Sequence, residues 1–207
     1  MPFTNYALDN FVSQQLSQLT QFNAPEVSNR YPQRKFWVSN FSLNSIFGGT
    51  VSKESKTFSF FFLRRSEAAF TEYEYACQAL KEFVNTTPKS PSLYFRALHH
   101  FEMVVSMLSQ AYDLHREISN QKRYKKKDGS KYQRLNWVYN KSRHFKPSEL
   151  SAGNIHVVWL TNSGLQTAEI TDKSGLQTTE SELSYSEIES FLIEIGSMAD
   201  NFCRAGK

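Results

Sequence analysis

The sequence is poor in cysteine and lacks the patterns that mark secretion and membrane insertion. Its 207 residues include two cysteines, Cys77 and Cys203, which lie in apolar helical stretches and in no pair motif. Isolated thiols argue against a disulfide scaffold and a thiolate zinc site, so we expect a reducing, cytoplasmic location. No segment approaches a run of about 18 apolar residues, and no basic start precedes an apolar run, so neither a membrane span nor secretion is expected.

Motifs for metal, nucleotide and covalent chemistry are also absent. The chain has no HExxH, no metal-ligand cysteine cluster, no nucleophile elbow and no dinucleotide fingerprint. The pair Gly48-Gly49 lacks the Lys-Ser/Thr that a phosphate-binding loop needs, so it predicts a turn. We therefore expect no metal site and no cofactor.

Apolar and aromatic residues are plentiful, and their spacing predicts an all-α (mainly) fold, a bundle of about five helices. With 40% apolar and 14% aromatic residues the chain can offset its conformational entropy, and its length suits a single domain, 1–207. Ser90-Pro91 starts a central helix with two adjacent apolar stripes, which is typical of a helix covered on two sides. These stripes are Tyr94, Leu98, Phe101, Val105, Leu108, Tyr112 and His115, and beside them Ala97, His100, Val104, Met107, Ala111, Leu114 and Ile118.

The other helices are placed by the same periodicity and by proline. A first helix runs to Ala24-Pro25, segment 25–57 reads as a loop leading into a short helix, and a second helix covers about 57–85. A shorter helix covers about 133–145. The first helix carries Leu8, Phe11, Val12, Leu16, Leu19 and Phe22.

After Gly153 the period changes to that of β-strands. The strings IHVVWL and LQTAEI flank TNSG, which predicts a hairpin with Gly164 supplying a positive φ. Because SGLQT occurs at 163–167 and again at 174–178, a three-stranded meander is the alternative. Ser184 and Glu187 then form a capping box for a last helix. The domain thus divides into residues 1–57 and a bundle, 58–207, with a β insertion at about 155–179.

Charge is distributed unevenly beneath the net value of +4. Residues 120–146 carry ten Lys/Arg and one Asp, whereas residues 147–207 carry nine acids and three bases. The basic segment therefore faces a polyanion such as RNA, or complements the acidic C-terminal part of the same chain or of a second copy.

Tyrosines interleave with this basic run, a combination that suits phosphate contact and base stacking. The alternative is a solvated loop whose charge only maintains solubility. The predicted nucleic-acid-binding residues are Lys122, Arg123, Tyr124, Lys125, Lys126, Lys127, Lys131, Tyr132, Arg134 and Lys141.

The stretch RLNWVYNKSRHF places Asn136, Asn140 and His144 on one polar stripe of a helix. Histidine moves protons near neutral pH and arginine stabilises phosphodiester charge, so the candidate catalytic residues are His144, Arg143 and Asn140. The structural alternative is that Asn140 and His144 satisfy one another and nearby backbone groups.

The arrangement of a long two-faced helix, a basic break, a short helix reading YNKSRH and a hairpin reading VVWLTNSGL resembles the HEPN superfamily over about residues 60–205. The resemblance implies an RNA-associated helical protein of a toxin, defence or stress system, with a site shared between two copies of a homodimer. Active members are metal-independent endoribonucleases with an arginine and a histidine a few residues apart.

This chain departs from the spacing of active members, because Arg134 lies ten positions before His144 and Arg143 directly precedes it. The resemblance therefore favours a noncatalytic, RNA-binding member over an enzyme. The alternative function is a non-enzymatic protein–protein interaction module, or a homodimer, whose basic segment docks on an acidic surface.

Overall fold

A computed structural model describes residues 13–47, 53–120, 127–143, 154–171 and 177–205. Within these ranges the chain is mainly helical, with one three-stranded antiparallel sheet before the last helix, which confirms the predicted fold class. No helix in the described ranges is both long and apolar enough to cross a membrane. The elements are α1 (Ser13–Gln18), 3-10 helices at Ser28–Arg30 and Pro32–Phe36, α2 (Trp37–Phe47), α3 (Lys53–Asn85), α4 (Pro91–Ser119), α5 (Lys131–Arg143), β1 (Asn154–Leu160), β2 (Gly164–Thr171), β3 (Gln177–Ser184) and α6 (Tyr185–Ala205).

The long helices α3 and α4 form the most extensive interface of the bundle. Both apolar stripes predicted for α4 are covered: Phe101 and Leu108 of one stripe and Val104 and Ala111 of the other are fully buried. The helix contacts α3, α5 and α6, which explains why it needs two stripes. Ser90 occupies the predicted N-cap position in extended conformation, but its side chain makes no capping hydrogen bond.

The predicted hairpin is present, and β3 extends it into the meander that the repeated SGLQT indicated. The strands pair in the order β1-β2-β3, and Leu165 faces Leu160 on one side and Leu183 on the other, all fully buried. The positive φ assigned to Gly164 is wrong. A glycine is needed there for space, because a Cβ would lie 2.7 Å from the Cα of Ser184 on the neighbouring strand.

The first helix ends earlier than its apolar spacing predicts, because the hairpin turn caps it. α1 ends before Leu19, which is buried although it is not helical. Asn162 Oδ1 accepts hydrogen bonds from the backbone N–H groups of Thr20 and Gln21 at 3.2 and 3.1 Å. Its amide donates to the last helical carbonyl at 3.4 Å. These bonds satisfy backbone groups that a longer helix would have bonded internally. The helical spacing of Leu19 with the apolar residues before it therefore reflects burial of its side chain and not helix formation at that position.

Residues 25–47 are organised around Trp37, at the start of α2. Trp37 is fully buried, and its Nε1 donates to Asp200 of α6 at 2.6 Å. The Tyr31 hydroxyl donates to the backbone carbonyl of Ile193 at 2.8 Å. These two bonds hold the N-terminal segment, residues 25–47, against α6. The conformation of this segment therefore depends on its contacts with α6 more than on a hydrophobic pattern within the segment.

The capping box predicted for α6 is confirmed. The Glu187 N–H donates to Ser184 Oγ at 3.2 Å, and the Ser184 N–H donates to Glu187 Oε2 at 3.0 Å. These reciprocal bonds satisfy two backbone donors at the helix start. The buried apolar side chains of α6 include Ile188, Phe191, Leu192 and Ile195.

Candidate nucleic-acid interface

Helix α5 carries most of the described candidate residues, and two buried side chains fix its orientation. Leu135 and Val138 are buried, three positions apart, and the helix contacts α4 and all three strands. Because side chains three or four positions apart share one face of a helix, the opposite side of α5 must face outward. We call this side the outer surface; it carries the exposed Trp137 and Arg143 and the half-buried Asn136, Asn140 and Lys141, and at its margin Tyr139, whose side chain packs against the core.

One flank of the outer surface pairs a lysine with an indole ring. Trp137 is 39% exposed, and the Lys141 ammonium lies 5.0 Å from the centre of its ring. The same ammonium lies 2.8 Å from Nε2 and 3.0 Å from Nδ1 of His156 on β1. The imidazole and the indole together position the lysine at the edge between α5 and the sheet.

The other flank repeats the arrangement with arginine. The Arg143 guanidinium lies 5.2 Å from the centre of the Tyr139 ring, and its Nη1 donates to the Tyr139 hydroxyl at 2.6 Å. Arg143 is exposed and has no carboxylate partner within the described part of the chain. Contact with a ring leaves the full positive charge of the guanidinium available.

Asn136 and Asn140 lie between these two flanks, one helical turn apart, as the predicted polar stripe requires. Both side chains are half-buried, and neither has a hydrogen-bond partner among the residues that the structure describes. Each amide therefore offers donors and an acceptor between two cation–aromatic pairs.

The first turn of α5 has a different role, because its charged groups are tied to α6. Lys131 forms an ion pair with Glu194 and donates to Ser190 Oγ at 2.7 Å. The hydroxyls of Tyr112 and Tyr132 donate to the other oxygen of Glu194 at 2.8 and 2.7 Å. Burial raises the pKa of Glu194, but these hydrogen bonds outweigh it and hold that pKa below its ordinary value.

Arg134 is tied to the same helix, α6, about two turns nearer its start. Its Nε donates to Glu187 Oε1 at 3.1 Å, and a second guanidinium nitrogen pairs with that oxygen. Burial raises the pKa of Glu187, whereas Arg134 and the Ser184 capping bonds lower it, with a net decrease. Part of the basic segment therefore complements the acidic C-terminal part of its own chain, one of the alternatives left open by the charge distribution.

The remaining predicted residues divide by whether the structure describes them. Lys127 is exposed, with a φ of 64°. The ring of Tyr132 packs against Tyr112 and Phe191, with ring centres 5.4 Å apart in each case. The predicted residues outside the described ranges are Leu8, Phe11 and Val12 of the first helix, and Gly48, Gly49, Lys122, Arg123, Tyr124, Lys125, Lys126 and His144.

His156 and Glu194 are the site residues that sequence reasoning missed. Strand alternation in IHVVWL could have placed His156 on the face shared with Val158 and Leu160, but not against α5. Within the described ranges, no group of three or more His, Cys, Asp or Glu side chains is arranged to hold a metal ion.

Comparisons with protein-family models, with curated proteins and with solved structures found no match to this chain.

Proposed function

We propose that the protein binds single-stranded RNA through the outer surface of α5, together with the basic run that precedes this helix in sequence. The two cation–aromatic pairs on either side of Asn136 and Asn140 are the observation that carries the proposal. In this proposal the protein is a cytoplasmic, noncatalytic HEPN-like homodimer that acts in a defence, toxin–antitoxin or stress system.

The chemistry of the outer surface matches the components of a single strand. Lysine and arginine contact phosphates, and exposed rings stack on unpaired bases with little sequence preference. Trp137 is the exposed ring, with Lys141 beside it. The amides of Asn136 and Asn140 add hydrogen bonds to base edges. A duplex offers no free base faces, so the proposed interface favours single strands.

The spacing of arginine and histidine supports binding over cleavage. Arg143 directly precedes His144 and Arg134 lies ten positions before it, whereas the active nucleases that the chain resembles carry the two residues a few positions apart. The Arg143 guanidinium, which donates to the Tyr139 hydroxyl at 2.6 Å, is therefore assigned to phosphate contact. The catalytic assignment of His144 with Asn140 and Arg143 stays a prediction, and cleavage abolished in His144→Ala would establish it.

The ion pairs of the first turn weigh against the docking alternative in which the basic segment of one copy binds α6 of another. Glu187 and Glu194 already bind Arg134 and Lys131 of their own chain. An intermolecular contact there would first have to break these pairs.

The deciding experiment is a titration of the wild type with fluorescein-labelled oligouridylate at two salt concentrations. Each phosphate contact should contribute about −0.7 to the slope of log affinity against log salt, because counterions are released. Replacing Lys125, Lys126 and Lys127 together by Gln should weaken binding and leave the melting temperature nearly unchanged, since Lys127 is exposed and exposed charges contribute little to stability. Absence of binding at low salt would exclude the proposal.

A further inference from the structure

A second candidate site lies away from α5, in a groove between residues 24–28 and the C-terminal half of α3. The groove has a volume of about 670 Å³, within the range of roughly 300–1,000 Å³ that is typical of small-molecule sites. Its apolar lining comes from Ala24, Val27, Cys77 and Leu93. It is open to solvent on one side, so a ligand can enter without unfolding of the chain.

The acids along α3 in this groove are already compensated. Glu74 forms an ion pair with the buried Arg34. Glu82 binds Arg96 of α4 at 2.7 Å and accepts from the Gln78 amide at 3.0 Å. The charges of these two carboxylates are therefore neutralised by arginines of the same chain.

Two polar side chains in the same wall have no such partner. Lys81 and Asn85, one turn apart on α3, make no hydrogen bond or ion pair within the described part of the chain. Glu26, on the opposite wall, accepts from the Asn29 amide at 2.9 Å; this partner is neutral, so the Glu26 carboxylate keeps its negative charge. The wall formed by α3 thus presents an uncompensated ammonium and a free amide beside an apolar floor.

Cys77 does not make this groove a thiol-nucleophile site. Burial raises the pKa of its thiol to about 12, although the Tyr73 hydrogen bond and the Lys81 charge act in the opposite direction. Because the thiolate is the nucleophile, a thiol that stays protonated at neutral pH is unreactive. Cys77 contributes apolar surface.

We propose that this groove binds a small monocarboxylate with an apolar body. The body lies on the floor formed by Ala24, Val27, Cys77 and Leu93, and the carboxylate accepts hydrogen bonds from Lys81 and Asn85. Charge-assisted bonds of this kind set orientation, while the apolar contact contributes most of the affinity. The inference is independent of RNA binding, because the groove shares no residue with α5.

Three probes of equal chain length separate the charge from the apolar contact: octanoate, octanol and octylamine. Calorimetric titration should give one site, with octanoate tighter than octanol and octanol tighter than octylamine. Lys81→Gln should weaken octanoate by roughly fivefold, the effect of one partly exposed charge, and leave octanol unchanged. Lys35→Gln, at an exposed lysine outside the groove, is the matched control and should change neither.

Filling the groove provides the second test. Cys77→Phe should abolish octanoate binding, and Ala24→Leu should do the same if the first variant does not melt like the wild type. Binding that persists in a filled variant of normal melting temperature would overturn the proposal. So would the absence of octanoate binding to the wild type, or octylamine binding as tightly as octanoate.

Discussion

The two ends of α5 use positive charge in different ways. In its first turn Lys131 and Arg134 bind carboxylates of α6, whereas in its last turns Lys141 contacts the rings of Trp137 and His156 and Arg143 contacts the ring of Tyr139. A carboxylate cancels the charge of a cation, but contact with a ring leaves that charge in place. Counting the basic residues of a segment therefore overestimates the charge available to a partner, and the contacts of each cation decide its role.

The largest effect is expected at the first turn, in the variant Glu194→Ala. Removing this carboxylate takes away the counter-ion of the half-buried Lys131, which keeps its bond to Ser190 Oγ, and an acceptor of the Tyr112 and Tyr132 hydroxyls. The free energy of unfolding in urea should fall by about 2–4 kcal/mol, because a partly buried charge is left uncompensated.

The matched control is Glu117→Ala, which removes an exposed ion pair with Arg116. It should change the free energy of unfolding by about 0.5 kcal/mol or less. Equal effects of the two variants would mean that the cluster around Glu194 is no more than a surface pair.

The second largest effect is expected at the outer surface, in the variant Trp137→Ala. Loss of a stacking ring should weaken binding of single-stranded RNA by about 1–3 kcal/mol. Phe95→Ala is the control, because Phe95 of α4 is 47% exposed and lies outside the outer surface. Fluorescence anisotropy that finds the two variants equally affected would refute a specific role for Trp137.

Solution pH should act in opposite directions on two half-buried glutamates. Burial raises the pKa of Glu194, but hydrogen bonds from Lys131 and Tyr132 outweigh it, so its stabilisation is complete above 4.5 and lost as pH falls through the lowered pKa. Burial alone raises the pKa of Glu102 in α4 to about 7, because the folded state disfavours the charged carboxylate. The protein should therefore lose stability as pH rises from about 4.5 towards 7 and Glu102 is forced to ionise.

Urea unfolding across pH measures both effects. Glu102→Gln should gain stability over the wild type between about pH 5 and 8, by roughly 1 kcal/mol once solvent screening is allowed for. The deficit of Glu194→Gln should instead shrink in acid, as the wild-type carboxylate becomes protonated. A stability difference that does not vary with pH in either variant would contradict the assigned environments.

The smallest effects come from two arginines of the same helix. Arg134→Gln should lower the free energy of unfolding by about 1 kcal/mol, since it breaks the partly buried pair with Glu187, and leave RNA affinity unchanged. Arg143→Gln should leave stability within about 0.5 kcal/mol and reduce the salt slope of RNA binding by about 0.7. If the two variants exchanged these effects, the division between the ends of α5 would be wrong.

The long helices could be predicted because their pattern is local. Each apolar stripe of α4 repeats every three or four residues, and two adjacent stripes require a helix that is buried on two sides. Ser184 and Glu187 predict the start of α6 without reference to the rest of the chain. Trp37 could not be placed in this way. Its partner, Asp200, lies 163 positions away in sequence, and no local period records such a contact.

In the candidate site, too, only the features that depend on local spacing or on charge composition could be predicted from the sequence. The helical stripe of Asn136 and Asn140 was predictable from their spacing, and the charge imbalance indicated that the basic segment could meet the acidic C-terminal part. Which lysine meets which glutamate depends on how α5 crosses the bundle. The pairing of Lys131 with Glu194, and the approach of His156 to Lys141, follow from tertiary packing alone.

The anchoring of the N-terminal segment on α6 has a consequence for biosynthesis. Trp37 and Gln33 both reach Asp200, and the Asn44 amide donates to the backbone carbonyl of Cys203 at 3.1 Å. At roughly 5–20 residues per second, the segment must wait roughly 10–30 s for these partners to be translated. During that interval α6 is absent, so Trp37, which is fully buried in the folded protein, lacks both its acceptor and its native packing against that helix. The nascent chain therefore presents an apolar side chain that chaperones can bind.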